Sequence, residues 1–449
     1  MNPEIERVVT ELNLELRTAY YEDSKLFSEL LTIQSKLGLL YGDRPTCPFL
    51  RPFFLSRRQY DEIALAAEAI GSIAEKVTAA ALEDHSLLDY LGLTDVEREL
   101  ALIDPGYSVT SVTSRLDTFI DGRSFKFLEY NAETPAGVGD QMQLERVLEH
   151  VPVTAEFLHN NSHWTPAPHK ALLRALFESY RETGGTKAKP TIAIVDWEGV
   201  STGPEFETLS DYFESMGFPT IIVTPDDLDY DGTRVFAGTL EIDIVYKRVL
   251  IAEFLEKYGG SHPLLSAYRD GNICLANGFR CKIPHKKSFF ALLSSGSHSH
   301  LFSEAEIEVI EKHIPWTRVL GDEPVAHAGG ESNLLELIRA EREAYLIKPT
   351  DDYGGKGIVL GWETNESEWD DAIESALGEN FVVQRRAPIE KQEVAVFDKT
   401  VSIEALLVDF DPFLFRNRAE GGMVRLSNDS LVNVTQGGGQ TALVVLEDV

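Results

Sequence analysis

Residues 344–361 read AYLIKPTDDYGGKGIVLG, and this stretch constrains the fold of the chain more than any other. An apolar run, Tyr345-Leu346-Ile347, delivers Lys348-Pro349. An acidic turn and Gly354-Gly355-Lys356-Gly357 follow, and then a second apolar run, Ile358-Val359-Leu360. The pattern predicts a strand, a glycine-rich loop and a strand. Glycines let backbone N–H groups approach an anion that a Cβ would block, and two lysines add compact positive charge for phosphate oxygens. A Walker A loop needs Lys-Ser/Thr after its glycines and a helix beginning there, whereas Lys356 is followed by Gly357 and a β-branched run. A Rossmann fingerprint needs a helix at the same place. A surface hairpin with solvated lysines has the same local pattern, so other parts of the chain must decide.

Composition bears on that decision. With 41 basic and 73 acidic residues the formal net charge is −32. A nucleic-acid or anionic-membrane binder needs a basic footprint, which this chain lacks. Any polyanion must therefore be held by local lysines and arginines or by a metal. The 449 residues suffice for two or three domains. Cys47, Cys274 and Cys281 show no CxxC or zinc spacing and read as buried thiols in a reducing compartment. The start, MNPEIERVVTELNLEL, has no basic segment followed by an apolar one, and no 18-residue apolar run occurs. A cytoplasmic protein is expected.

Apolar residues recur at three and four across residues 1 to about 103, which predicts helices. Pro45, Pro48 and Pro52 fall in a connection, where Phe53, Phe54 and Leu55 read as core packing. Residues 108–140 then predict a β-hairpin with Asp121-Gly122 as its turn signal. A two-residue turn there pairs Asp117 with Lys126 and leaves it on the other face from Glu129. A three-residue loop, Ile120 to Gly122, pairs Asp117 with Phe125 and puts Arg115, Asp117, Glu129 and Asn131 on one face. Two carboxylates and an amide carbonyl converging there suit Mg²⁺, with Arg115 beside them for an oxyanion or phosphate. The bland reading is a solvated hairpin. Against it, the small-residue turn Thr134-Pro135-Ala136-Gly137 follows and permits close approach of a ligand.

Residues 141–185 read as helical, with His159, His163 and His169 as loop residues, and ETGGTKAKP at 182–190 reads as a linker. TIAIVDW, a helix over Glu205–Met216, TIIVTP and DIVYKRV predict a small doubly wound α/β unit. It has no GxGxxG. Lys286 and Lys287 precede an apolar helix, where two cations oppose the macrodipole and a phosphate partner would explain them. FVVQRRAPI and VSIEALLVDF predict two later strands, and the chain ends in VNVTQGGGQTALVVLED.

In motif order these pieces resemble the circularly permuted ATP-grasp proteins, most closely the synthetase domain of glutathionylspermidine synthases. In that family R-x-D, then twelve residues on E-x-N and a small-residue turn, supplies the metal ligands; Arg115, Asp117, Glu129 and Asn131 fit that order. The resemblance implies ATP and Mg²⁺, with Lys287, Lys348, Gly354, Gly355, Lys356 and Gly357 on the phosphates and Gln384 beside adenine. Arg416, in FLFRNR, fits the arginine that stabilises developing negative charge. Lys286 could replace Lys287, and Arg418 or Arg425 could replace Arg416.

The implied fold is an α+β, α/β permuted ATP-grasp. A helical region spans residues 1–105 and the metal-binding part of the core 106–187. An inserted α/β unit follows at 188–283, and an ATP-binding lobe with its glycine-rich lid at 284–449. The implied activity is ATP-dependent carboxylate–amine ligation of small molecules such as amino acids, peptides or polyamines. A phosphotransferase and a non-catalytic nucleotide-binding protein are the alternatives. No amidase half with a catalytic cysteine is expected, the loop DDYGGKG is closer to ordinary ATP-grasp loops, and no substrate residue carries over. Oligomeric state, a homo-oligomer included, is left open.

Overall fold

The computed structural model describes residues 3–327, 330–352, 354–430, 432 and 437–447. Tyr353 of the glycine loop, residues 433–436 and 448 of the C-terminal stretch, and the first two residues lie outside that range.

The first hundred residues form helices Pro3–Tyr20, Ser24–Lys36, Arg57–Glu83, Ser86–Leu91 and Asp95–Leu102. The two best-defined starts are capping boxes, Ser56 with Gln59 and Thr94 with Glu97, in which side chain and backbone satisfy each other's exposed N–H groups. Between the second and third helices the chain is extended: Leu40–Tyr41 pairs with Arg44–Pro45. Phe53–Ser56 is a fully buried strand that pairs in parallel with Leu443–Leu446, so the residues read as core packing also stitch the two ends of the chain together.

These helices share one core with a large antiparallel sheet. In that sheet, order runs Gly439–Gln440, Arg418–Ser427, Val401–Phe415, Thr113–Asp121, Ser124–Asn131. The fifteen-residue strand Val401–Phe415 is long enough to pair first with Lys391–Phe397 and then with Thr113–Asp121 along one edge. Strand side chains alternate between faces. Val408, Phe410, Phe127 and Val424 therefore pack on Leu12, Leu16, Ile70 and Ala74 of the helices, whereas Leu407, Asp409 and Arg425 line a cleft on the other face. Each buried aromatic of this kind contributes about 1.5–3 kcal/mol.

The middle of the chain is the expected α/β unit. Its four parallel strands stand in the order Cys274–Ala276, Ile244–Lys247, Ile192–Val195, Thr220–Val223, with helix Gly203–Ser215 between the last two in sequence. A second sheet of three antiparallel strands, Leu228–Tyr230, Val235–Ala237 and Leu240–Ile242, was not foreseen; three residues are too few for alternation to register. His169, expected in a loop, is buried in helix Pro168–Glu182.

The last lobe carries a four-stranded antiparallel sheet ordered Thr317–Val319, Phe381–Arg385, Tyr345–Pro349, Val359–Leu360. The predicted strand, glycine loop and strand are present, with Ile347 opposite Val359. The three cysteines are buried thiols pushed up to about 12 by burial. Among the described residues no helix is long and apolar enough to cross a membrane.

Candidate active site

The hairpin adopts neither of the two registers considered from sequence. Its turn is Gly122-Arg123, with Asp121 opposite Ser124 and Gly122 at φ +60°. That register, continued, would leave Glu129 and Asp117 on opposite faces. A β-bulge intervenes: Thr118 pairs with Phe127, but Asp117 pairs with Glu129 and Arg115 with Asn131. Leu128 is the extra residue, and leaving it unpaired keeps Glu129 and Asn131 opposite Asp117 and Arg115 on the cleft face. The four side chains come together as expected, through a different device. The carbonyl of Leu128 accepts hydrogen bonds from Lys348 Nζ (3.0 Å) and Gln384 Nε2 (3.2 Å) of the other sheet.

The open end of the hairpin is pinned by Asn277, a fully buried residue of the α/β unit. Its Oδ1 accepts from the backbone N–H of Val112 and Thr113 (2.6 and 3.1 Å), and its Nδ2 donates to the carbonyls of Thr113, Ala132 and Glu133 (2.7, 2.9 and 2.9 Å). One amide thus sets the spacing of both strands beside the Arg115–Asn131 pair. The end of the small-residue turn is occupied by a carboxylate of the protein itself. Glu205 of the α/β unit fills it, Oε1 accepting from the N–H groups of Gly137 (3.1 Å), Val138 (2.9 Å) and Gly139 (3.4 Å). Beside it, burial and then the Glu205 charge push the Asp140 carboxyl up to about 7.

On the cleft face, charge is dense and paired. Arg115 Nε donates to Asp117 Oδ1 at 3.0 Å, and Arg425 Nη2 reaches Asp117 Oδ2 at 2.8 Å and Asp409 Oδ2 at 2.7 Å. Asp411 Oδ2 lies 2.8 Å from the same Arg425 nitrogen. Burial alone would raise the Asp117 carboxyl, but Arg115 and Arg425 overcome it and hold the group well below the usual range. Glu129 is likewise held low against burial, chiefly by Lys287. Burial wins at Asp409, pushed up to about 6, and more strongly at Asp411. Asp117 and Glu129 are therefore ionised oxygen donors with the Asn131 carbonyl beside them, a donor set that fits Mg²⁺.

Lys348 stands on Tyr345–Pro349 and donates to Gln384 Oε1 (3.0 Å) as well as to Leu128; burial, opposed by Glu129, brings its ammonium down to about 8. Lys287 Nζ donates to the Asp352 carbonyl (2.7 Å) and lies 3.4 Å from Glu129. Lys286 points elsewhere, into Glu97 (3.0 Å) and Asp351 (2.6 Å). These carboxylates, and not a phosphate, compensate its place before the helix Ser288–Ser294. In the loop, Gly354, Gly355 and Gly357 all have positive φ, and a Cβ on Gly357 would meet Pro349 at 2.8 Å. Lys356 is solvent-exposed.

Arg416 is not brought to the cleft. With Asn417 it forms a glycine-free two-residue turn, both residues at positive φ, closing Phe415 onto Arg418. Its guanidinium bonds Glu182 and Ser179 and lies 3.5 Å from Glu178. Of the three arginines weighed for that place, Arg425 lines the cleft. Asp409 and Asp411 were missed. A carboxylate pair two apart in the apolar run Leu406–Phe415 was the available signal, since such groups are buried only when partnered. The cleft measures about 470 Å³, and Arg115, Glu129, Lys348, Gly355, Gln384 and Arg425 all line it.

The family profile described as a circularly permuted ATP-grasp matches residues 112–384. Uncharacterized proteins of Mycobacterium bovis and Mycobacterium tuberculosis are 26% identical over 374 residues, covering 78% of this chain and 63% of theirs. The chain thus spans less than two thirds of the length of these curated relatives. A glutathione synthetase-like effector from Globodera pallida, in its apo form, matches in fold with a TM-score of 0.60 at 10% identity, covering 99% of each chain. The match to the family profile takes in more than half of the sequence, and the hairpin precedes the α/β unit while the glycine loop comes last: the chain belongs to the circularly permuted ATP-grasp family.

Proposed function

We propose that the protein is an ATP-dependent carboxylate–amine ligase that forms an amide through an acylphosphate. The observation that carries this reading is the convergence on one cleft of Lys348 and a glycine loop with a hard-oxygen triad and two arginines, with Lys287 in the small pocket that adjoins it at Glu129 and Gly354. Lys287, Lys348 and the N–H groups of Gly354 to Gly357 hold the polyphosphate of ATP. Asp117, Glu129 and Asn131 would hold Mg²⁺, which when bound neutralises phosphate charge. A substrate carboxylate oxygen bonds to the γ-phosphorus as the bond to ADP breaks. The amine nitrogen then bonds to the acyl carbon, and the oxyanion faces Arg115 and Arg425 until inorganic phosphate leaves. The amine's proton is lost in that step. Gln384 fixes the base end of the nucleotide, and no covalent protein intermediate is needed.

The test is a screen of amino acids, short peptides and polyamines for release of ADP and phosphate, with mass spectrometry on every hit. The expected result is an amide product with one phosphate released per bond. A stable phosphorylated product would identify a phosphotransferase instead, and no turnover with any pair would point to a nucleotide-binding protein.

A further inference from the structure

Behind the hairpin, away from the cleft, lies a second cluster of charge. Lys282, 1% exposed, donates to Glu133 Oε2 at 2.9 Å and to Asp351 Oδ1 at 2.6 Å. Lys286 joins Asp351 to Glu97 of the N-terminal helices. Glu133, Asp351 and His285 also offer one ligand atom each within 4.8 Å of one another, the geometry of a small metal site. The Lys282 ammonium already neutralises both carboxylates, and burial keeps His285 neutral by pulling it down to about 4, so this cluster is an ion-pair network and not a metal centre.

What matters is where its members sit in the chain. Glu133 is two residues beyond Asn131, at the exit of the hairpin, and Asp351 is three residues before Gly354, at the root of the glycine loop. A single ammonium therefore touches both the element bearing the oxygen triad and the element bearing the phosphate loop. Two further bonds close the same junction: the N–H of Lys287 donates to the Thr350 carbonyl (2.8 Å), and its Nζ to the Asp352 carbonyl (2.7 Å). Glu133 is itself held fast: its Oε2 lies 2.9 Å from Lys282, and its Oε1 lies 3.7 Å from Lys247 and accepts from the Ile251 N–H. The loop root thus hangs from a fixed point.

We infer that Lys282 is a positioning residue that couples the metal-binding hairpin to the phosphate loop. The inference rests on the ligase reading only in that both elements must grip one Mg²⁺–polyphosphate. A metal can tighten nucleotide binding only if the phosphates held by the loop present their oxygens to the triad. The bridge fixes that registry in advance. Its loss leaves each element able to hold its own half, and removes the cooperation between them.

The experiment is calorimetric titration of ADP into the full chain, with and without Mg²⁺, for the wild type, Lys282→Met and Asp351→Asn. The quantity read is the ratio of the two ADP affinities. In the wild type a ratio of roughly ten or more is expected, within the range of typical coupling energies. In both variants it falls to within about twofold of one, while the Mg²⁺-free affinity moves little. Asp351 lies at the more exposed end of the network, so Asp351→Asn carries the test should Lys282→Met not fold. A wild-type ratio retained in a folded variant overturns the bridge alone. A wild-type ratio of one overturns the ligase reading, and the bridge with it.

Discussion

Two groups of charged residues stand on either side of the hairpin's end, and they are built differently. Behind it, Lys282 and Lys286 each hold two carboxylates at close range, drawn from Glu97, Glu133 and Asp351. In the cleft, Lys348 donates to a carbonyl and an amide oxygen, and Lys287 reaches Glu129 only at 3.4 Å. Buried charges in the first group are compensated within the protein. The two lysines of the second, unlike the paired arginines and aspartates around them, keep capacity for a ligand, at the cost of the desolvation that brings Lys348 down to about 8. Neighbouring lysines in one sequence run, Lys286 and Lys287, fall one in each group. The lesson is that a cation's partner, and not its type or its neighbours in sequence, separates a structural charge from a binding charge.

The contrast can be broken by substitution. Lys286→Met should be the most damaging to stability, because it leaves buried Glu97 with only the Thr94 N–H and a Lys282 contact at 3.8 Å and weakens the hold on Asp351; a loss of about 3–5 kcal/mol is expected by denaturant unfolding. A loss under about 1 kcal/mol would mean that the rear cluster is no more a structural network than the cleft is. Lys348→Met should do the opposite. Nucleotide affinity falls about 10–100-fold by calorimetry, the equivalent of about 1.4–2.8 kcal/mol, while the melting temperature stays level or rises because an ammonium without a carboxylate hydrogen bond has been removed. A melting temperature that drops alongside that of Lys286→Met would erase the distinction.

Asp140→Asn sharpens the same comparison with a group that lacks enough positive charge. Its folded carboxyl, at about 7, lies above the ordinary value near 4. The folded state therefore keeps a proton that the unfolded state gives up, and wild-type stability declines as pH climbs through that window. The variant should match the wild type at pH 4 and exceed it increasingly up to pH 8 in paired thermal melts. A constant difference across that range would contradict the assignment. The smallest effect belongs to Arg416→Ala. Its partners Glu178 and Glu182 are largely solvated, so about 0–1 kcal/mol of stability is at stake, and calorimetry should find nucleotide affinity unchanged.

Much of this architecture was legible before the structure. The glycine loop between two strands, the α/β unit, and a hairpin carrying Arg115, Asp117, Glu129 and Asn131 all follow from local pattern. What escaped were pairings made at long range or against local rule. Nothing near Asn277 in sequence marks it as the clamp on a hairpin more than a hundred residues away, and nothing near Glu205 marks it as the carboxylate that fills the Gly137–Gly139 turn, because each bonds to backbone groups. Arg416 was expected in the cleft from the resemblance of FLFRNR to the family arginine, but the glycine-free turn it shares with Asn417 directs it to Ser179 and Glu182 instead. Arg425, nine residues later on the returning strand, lies beside Asp117.

The bulge at Leu128 has a consequence in simple arithmetic. Around a two-residue turn, directly opposed residues are always an odd number of positions apart, as Asp121 and Ser124 are. Asp117 and Glu129 are twelve apart, an even number. Even spacing between two facing ligands is thus a parity signature: it obliges a hairpin to carry one residue too many, in its loop or in its strand. Any chain that keeps this spacing with a two-residue turn must keep such an insertion, whereas deleting Leu128 should remove the bulge and leave Glu129 opposite Asp117 and Asn131 opposite Arg115 in a regular ladder.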